Sequence, residues 1–142
     1  MAVAAPLLCK KLFWGKDMRG IGFSFFIIGV LCVTLGMIWG IQMAISGDHM
    51  LAPAHAHLNL VGWVTMALFG LYYTLTPSAA ATGLAKIHLG LAVAGVVVMV
   101  PGIAMVLKGG GDGIAAAGSM LTAASMLVFL YTVFKHGLGK QA

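Results

Sequence analysis

The apolar positions of the chain fall into four long runs, separated by short polar or glycine-rich segments. A helix needs about 20 residues to cross the hydrocarbon core of a bilayer, which is about 30 Å thick. The sequence therefore predicts four membrane-spanning helices, at approximately residues 21–45, 53–76, 84–107 and 114–134. The segments between them contain Ser46 to His49, Pro77-Ser78 and the run from Gly109 to Gly113. Because these connections are short, we expect consecutive helices to be antiparallel neighbours in an up-down bundle or an arc.

The composition also indicates a helical membrane protein. Apolar residues make up 61% of its 142 residues and charged residues 8%, and the mean hydropathy is +1.06. Soluble domains carry about 25% charged residues. The runs also lack the two-residue alternation that a membrane barrel requires. The sequence therefore predicts one all-α integral membrane domain over residues 1–142, in contact with the lipid bilayer.

The basic residues predict how the chain is oriented. Seven of its eight cations lie on one side of the predicted helices, namely Lys10, Lys11, Lys16, Arg19, Lys86, Lys135 and Lys140. Lys108 lies on the other side, together with Asp48 and Asp112. The positive-inside rule then places both termini in the cytoplasm of a bacterial-type inner membrane. Anionic headgroups account for the net charge of +5, so we expect no nucleic-acid partner.

Glycines recur inside the first run. Gly22, Gly29 and Gly36 repeat at seven residues, and Gly36 and Gly40 form a pair of small residues four apart. This spacing lets helix backbones approach closely. It is compatible with packing inside one subunit or with a subunit interface.

The histidines carry most of the chemical information. There are five, His49, His55, His57, His88 and His136. His55, His57 and His88 fall inside apolar runs, where an ionisable residue is a functional candidate. Imidazole is also the commonest metal ligand and a usual axial ligand of haem iron.

His55 and His57 stand two positions apart in the segment Ala54-His55-Ala56-His57. Such residues differ by about 200° around an α-helix, so the two rings are expected to point to opposite sides. We expect them to serve two centres beside the helix, or two subunit interfaces, rather than one ion. The alternative is that both rings face lipid headgroups just inside Pro53.

The two faces of this helix have different neighbours. His55 shares its face with Asn59, Gly62 and Met66, and His57 shares its face with Val61, Val64 and Leu68. Gly62 is expected to leave room for a flat ligand, lined by Trp63 and Phe69. Asn59, Gly62 and Trp63 are therefore candidate pocket residues.

This helix also resembles a known family. The segment Ala54-His55-Ala56-His57 continues through Leu60, Val61, Thr65 and Met66 to Phe69-Gly70-Leu71-Tyr72-Tyr73. The stretch resembles the tenth helix of subunit I of the haem–copper oxygen reductases. Read from His57 with Asn59 two places on, it resembles the second helix of the nitric oxide reductase branch. Residues 46–73 also look like short proteins described as subunit-I-like.

The resemblance implies haem b binding. By analogy, His55 matches the ligand of the high-spin haem and His57 the ligand of the low-spin haem. The family's subunit has many more spans, and this chain has no candidate for its three-histidine copper site or its cross-linked histidine–tyrosine pair. An oxygen-reducing proton pump is therefore not expected, and whether the chain is an enzyme is left open.

The resemblance also implies an assembly. The family's subunit I has approximate threefold symmetry, and a four-helix chain looks like one of its arcs. Cyclic association of identical subunits would rebuild the larger shape, so a homotrimer is the favoured homo-oligomer. His55 of one subunit and His57 of its neighbour could then approach one haem from opposite faces.

His88 lies near the cytoplasmic end of the third predicted helix, about 15–20 Å from the histidine pair if the helices span a 30 Å core. We therefore do not expect it to bind the same iron. Three roles are open: a second cofactor site, a hydrogen bond to a backbone carbonyl, or contact with the interface beside Lys86.

Three functions follow from these residues. The first is a haem b protein for electron transfer or gas-ligand binding, with a redox partner. The second is a copper or zinc site built from His49 and His55 with Met50, whose donors suit these metals. The third is a non-catalytic assembly subunit of a respiratory complex.

Overall fold

All four apolar runs are helical in the computed structural model, which describes residues 20–139. The helices are α1 (Ile21–Ser46), α2 (Ala52–His57), α3 (Met66–Leu75), α4 (Pro77–Ala80), α5 (Gly83–Leu107) and α6 (Gly113–His136). A π-helical segment, Leu58–Thr65, joins α2 to α3. We call α1 span 1, residues Ala52–Leu75 span 2, α5 span 3 and α6 span 4. No strand occurs between residues 20 and 139.

The prediction of four spans is confirmed, and their ends agree with the structure to within about two residues. Each span is long and apolar enough to cross a membrane, so the chain has the character of a multi-pass membrane protein. Lys10, Lys11, Lys16, Arg19 and Lys140 lie outside the described residues. The cytoplasmic placement of both termini therefore stays a prediction.

Residues with special backbone preferences set the helix ends. Span 1 ends at Gly47, which has a left-handed φ of 68°, and Gly109, with φ 85°, follows span 3. Glycine adopts this conformation without a steric penalty. Span 3 begins after Thr82, whose side chain accepts a hydrogen bond from the Ala85 backbone N–H. Pro53 stands in the first turn of span 2, where its missing N–H costs nothing.

Spans 1 and 2 pack closely along the glycine row of span 1. A Cβ added to Gly29 would lie 3.2 Å from the Trp63 ring, and one added to Gly36 would collide with the Asn59 amide. One added to Gly40 would lie 3.2 Å from Cε1 of His55. Lipid supplies no hydrophobic drive for helix association, so this close contact is what holds the pair together. The structure thus uses these glycines within one chain.

Spans 3 and 4 form a second antiparallel pair. A Cβ on Gly95 would lie 2.6 Å from Thr122 Oγ1, and one on Gly102 would lie 2.5 Å from the Ala115 nitrogen. Towards the middle of the pair, a Cβ on Gly118 would collide with the backbone of Met99. Small residues again let two backbones touch.

Span 2 joins the two pairs, because it packs against span 1 and also contacts span 3.

The end that carries the connections between spans 1 and 2 and between spans 3 and 4 is called the His57 end, and the opposite end is called the His88 end. At the His88 end, the Tyr72 hydroxyl donates to the Gly137 carbonyl over 2.9 Å. The Gly139 N–H donates to Thr76 Oγ1 over 3.1 Å. These bonds tie the end of span 4 to the end of span 2.

We expect Gly118→Ala to lower the free energy of unfolding by about 1–3 kcal/mol, because the added methyl forces two backbones apart. Gly90→Ala is the matched control, since a Cβ there meets nothing within 4 Å. It should stabilise the helix by about 0.5–1 kcal/mol. Unfolding of both variants by detergent titration, followed by circular dichroism, measures the difference. Equal stability of the two variants would contradict the packing described.

Candidate functional site

The His57 ring is held by a bond to its own helix. Its Nδ1 lies 2.7 Å from the Pro53 carbonyl oxygen. A carbonyl oxygen only accepts hydrogen bonds, so Nδ1 carries the proton and donates. In the neutral ring, Nε2 then holds the free lone pair. Histidines that bind metals usually donate their other N–H in this way, which fixes the tautomer and the ring orientation.

The surroundings of His57 are open and apolar. The residue is exposed on the outer face of span 2. Leu60 and Leu68 lie along the same span and are 61% and 58% exposed. The structure therefore presents an oriented imidazole on a surface that suits lipid, a flat apolar ligand or another protein.

His55 has a different environment. It is half-buried and faces span 1, where Gly40 allows its ring to approach the helix. The Trp39 ring stands nearly perpendicular to it, with centroids 6.1 Å apart. Asn59 donates to the His55 carbonyl over 2.9 Å, and its amide nitrogen lies 3.2 Å from Nε2 of the ring. Span 1 and Asn59 thus enclose the imidazole.

The two histidines therefore face different surroundings, as the sequence predicted, but the candidate pocket beside His55 differs from the prediction. A Cβ on Gly62 would lie 3.0 Å from Cβ and Sγ of Cys32. Span 1 therefore fills the room that Gly62 was expected to leave for a flat ligand. Trp63 packs against Gly29 and edge-on to Phe26, at 5.8 Å. The pairing that brings the glycine row of span 1 close to span 2 therefore also covers the face of span 2 that carries His55 and Gly62.

The π-helical segment was not predicted. It begins directly after His57 and covers Leu58–Thr65, including Asn59, Gly62 and Trp63. The Thr65 hydroxyl donates five residues back, to the Leu60 carbonyl, over 3.0 Å. Stretches of π-helix are rare and often mark functional sites. No residue type in the segment signals it, because wider helical turns leave no mark in the apolar pattern.

His88 lies in a closed aromatic cluster at the His88 end. It is fully buried, and its ring centroid lies 4.9 Å from that of Phe25, 4.4 Å from Phe69 and 5.5 Å from Phe129. Its Nδ1 shares a 2.9 Å hydrogen bond with the hydroxyl of Tyr73, and its Nε2 has no partner. Phe69, expected to line a ligand pocket near Gly62, belongs to this cluster.

These contacts exclude two of the three roles that the sequence left open for His88. Its hydrogen bond goes to a side-chain hydroxyl rather than to a backbone carbonyl. Lys86 is exposed whereas His88 is buried, so the imidazole does not reach the interface beside that lysine. Sequence reasoning missed Tyr73 as the partner. Its position just before the connection between spans 2 and 3, with His88 just after it, could have suggested the pair.

The loop histidine is turned towards its own backbone. His49 Nδ1 lies 3.1 Å from the Gly47 carbonyl oxygen, and the Met50 N–H donates to the Asp48 carboxylate over 2.9 Å. Within residues 20–139, no three His, Cys, Asp or Glu side chains come together as a possible metal site. The copper or zinc site at His49 and His55 stays a prediction.

No protein-family model, curated protein or solved structure matches the chain. The resemblance to the oxygen reductases therefore stays an expectation from the sequence of residues 46–73.

Proposed function

We propose that this chain is a membrane haem b protein in which His57 is the principal axial ligand of the iron, serving electron transfer or gas-ligand binding. The observation that carries the proposal is the 2.7 Å contact between His57 Nδ1 and the Pro53 carbonyl. It leaves the Nε2 lone pair free on an exposed, apolar flank. The likeness of the His-x-His helix to subunit I supplies the identity of the ligand.

The residues fit a haem at His57 better than at His55. A b-type haem needs an axial imidazole and an apolar surface for its ring, and His57 has both. At His55 the amide of Asn59 and the backbone at Gly40 occupy the approach to the ring. When bound, haem would supply a one-electron iron couple, or a coordination position for a small gas. His57 would orient the group, and the apolar flank would keep water from the part of the ring that lies against it.

The open flank at His57 gives a reason for association with another subunit. A haem bound there would expose much of its ring unless a second surface covered it. A closed ring of identical chains provides such a surface, and we propose a homotrimer in which a neighbouring subunit covers this flank. His55 of that neighbour is the proposed second ligand, which requires the Asn59 amide to turn away and the His55 ring to move out from Gly40 of span 1.

The bias of basic residues supports an orientation for this arrangement. We propose that both termini lie in the cytoplasm of a bacterial-type inner membrane, as the positive-inside rule suggests. The His57 end would then face the outer side, and a redox partner would meet the haem from there.

An absorption spectrum tests the ligand assignment. The full chain, expressed with ample haem supply and purified in mild detergent, should show a Soret band and contain about one haem per chain. His57→Ala should lose the haem, because it removes the proposed principal ligand. His49→Ala, which removes an exposed loop histidine, should keep the haem.

Two outcomes would overturn the assignment. In the first, the protein is colourless and keeps copper or zinc that His49→Ala removes, which supports the metal-site alternative. In the second, the protein holds neither haem nor metal, and its deletion causes loss of a respiratory complex, which supports an assembly role.

The particle size tests the assembly. Light scattering of the haem-loaded protein, corrected for detergent, should give three chains per particle. His55→Ala should keep the trimer but shift the visible bands, because the second axial ligand changes. A monomeric or dimeric particle, or bands that His55→Ala leaves unmoved, would contradict ligation between subunits.

A further inference from the structure

Within residues 20–139, two buried side-chain polar atoms have no hydrogen-bond partner. They are Nε2 of His88 in span 3 and Oγ of Ser125 in span 4. His88 is 0% exposed and Ser125 is 2% exposed. A buried polar atom left without a partner costs about 1–3 kcal/mol. Apolar side chains of similar size would avoid this cost. The two polar side chains therefore point to a ligand that forms hydrogen bonds with both atoms.

The register of spans 3 and 4 places residues His88 and Ser125 on facing helices, about one helical turn apart in level. The His88 ring stacks on Phe129 with centroids 5.5 Å apart. One turn along each helix, Ala92 and Ser125 line the same small cavity. One turn of helix rises about 5.4 Å. This offset along the helices is about twice the usual hydrogen-bond length of about 2.8 Å. It suits one bridging molecule.

The cavity lined by Ser125 has the matching size, and it is also lined by Phe69, whose ring centroid lies 4.4 Å from that of His88. It offers about 20 Å³ to the centre of a water molecule, enough for roughly one. Its lining residues are Val61, Thr65, Met66, Phe69, Ala92, Thr122, Ser125 and Met126. The hydroxyls of Thr65 and Thr122 already donate to the backbone carbonyls of Leu60 and Gly118. Their oxygens therefore remain as acceptors, and the Ser125 hydrogen is unused.

The lining also selects the chemistry of the ligand. The side chains around the cavity are apolar or carry hydroxyl groups, and none is charged. A buried ion would lack compensation there. The ligand must also suit Nε2 in either tautomer of His88, because the Tyr73 hydroxyl can donate to Nδ1 or accept from it. Water both donates and accepts, so it fits either case.

We propose that one water molecule binds between His88 Nε2 and Ser125 Oγ and completes a buried chain from Tyr73 through His88 and water to Ser125. The site lies at the junction of spans 2, 3 and 4 and does not depend on the haem proposal. It gives the imidazole a hydrogen-bonding partner at both nitrogens, which is the arrangement that proton transfer through a membrane-embedded histidine needs.

Water-edited nitrogen NMR of the histidine-labelled protein in lipid tests the site. His88 Nε2 should receive magnetisation from water, and Ser125→Ala should reduce that transfer at least about twofold. Ser119→Ala is the matched control, because Ser119 is exposed on the same span and bonds to the Ala115 carbonyl. It should leave the transfer unchanged. A dry Nε2 in the unmodified protein, or a transfer that Ser125→Ala does not alter, would overturn the proposal.

A double-mutant cycle provides a second test that uses no label. His88→Phe fits the aromatic cluster, so the variant is expected to fold. If His88 and Ser125 share one water molecule, the effect of Ser125→Ala on the unfolding equilibrium should change at least about threefold when His88 is already Phe. Effects that multiply independently would show that the two residues share no ligand and would refute the bridge.

Discussion

Close contact between helix backbones is the constraint on which the arrangement of side chains depends. Lipid offers no hydrophobic gain when apolar helices associate, so the spans must touch through small residues. Gly36 brings span 1 against Asn59 of span 2, and Gly118 brings span 4 against Met99 of span 3. Once these contacts are made, the rotation of each helix about its axis is fixed. The contacts therefore decide which histidine faces inward and which faces outward.

The consequence is a division of roles among the histidines. His55 is enclosed by span 1 and by the Asn59 amide, whereas His57 lies exposed with one ring nitrogen tied to the Pro53 carbonyl. At the other end, His88 is sealed among aromatic rings with Tyr73 as its partner. One imidazole is thus available to a large ligand at the surface, and another only to a molecule that enters the core.

The sequence predicted the parts of this structure that depend on local patterns. Helix number, span limits and the opposed directions of His55 and His57 follow from apolar runs and helical rotation. The filling of the space at Gly62 by Cys32 did not follow, because it depends on how two spans pair. The Tyr73–His88 bond likewise joins residues on different helices. The π-helical segment has no residue signature at all, so only the folded chain reveals it.

We propose that His57 presents the lone pair of Nε2 outward because its Nδ1–H donates to the Pro53 carbonyl oxygen. Nitrogen NMR of the haem-free protein, labelled at histidine and kept at mildly alkaline pH where imidazole is neutral, measures this directly. We expect His57 to be protonated at Nδ1, with a bare Nε2. A His57 ring that carries its proton on Nε2 would contradict it.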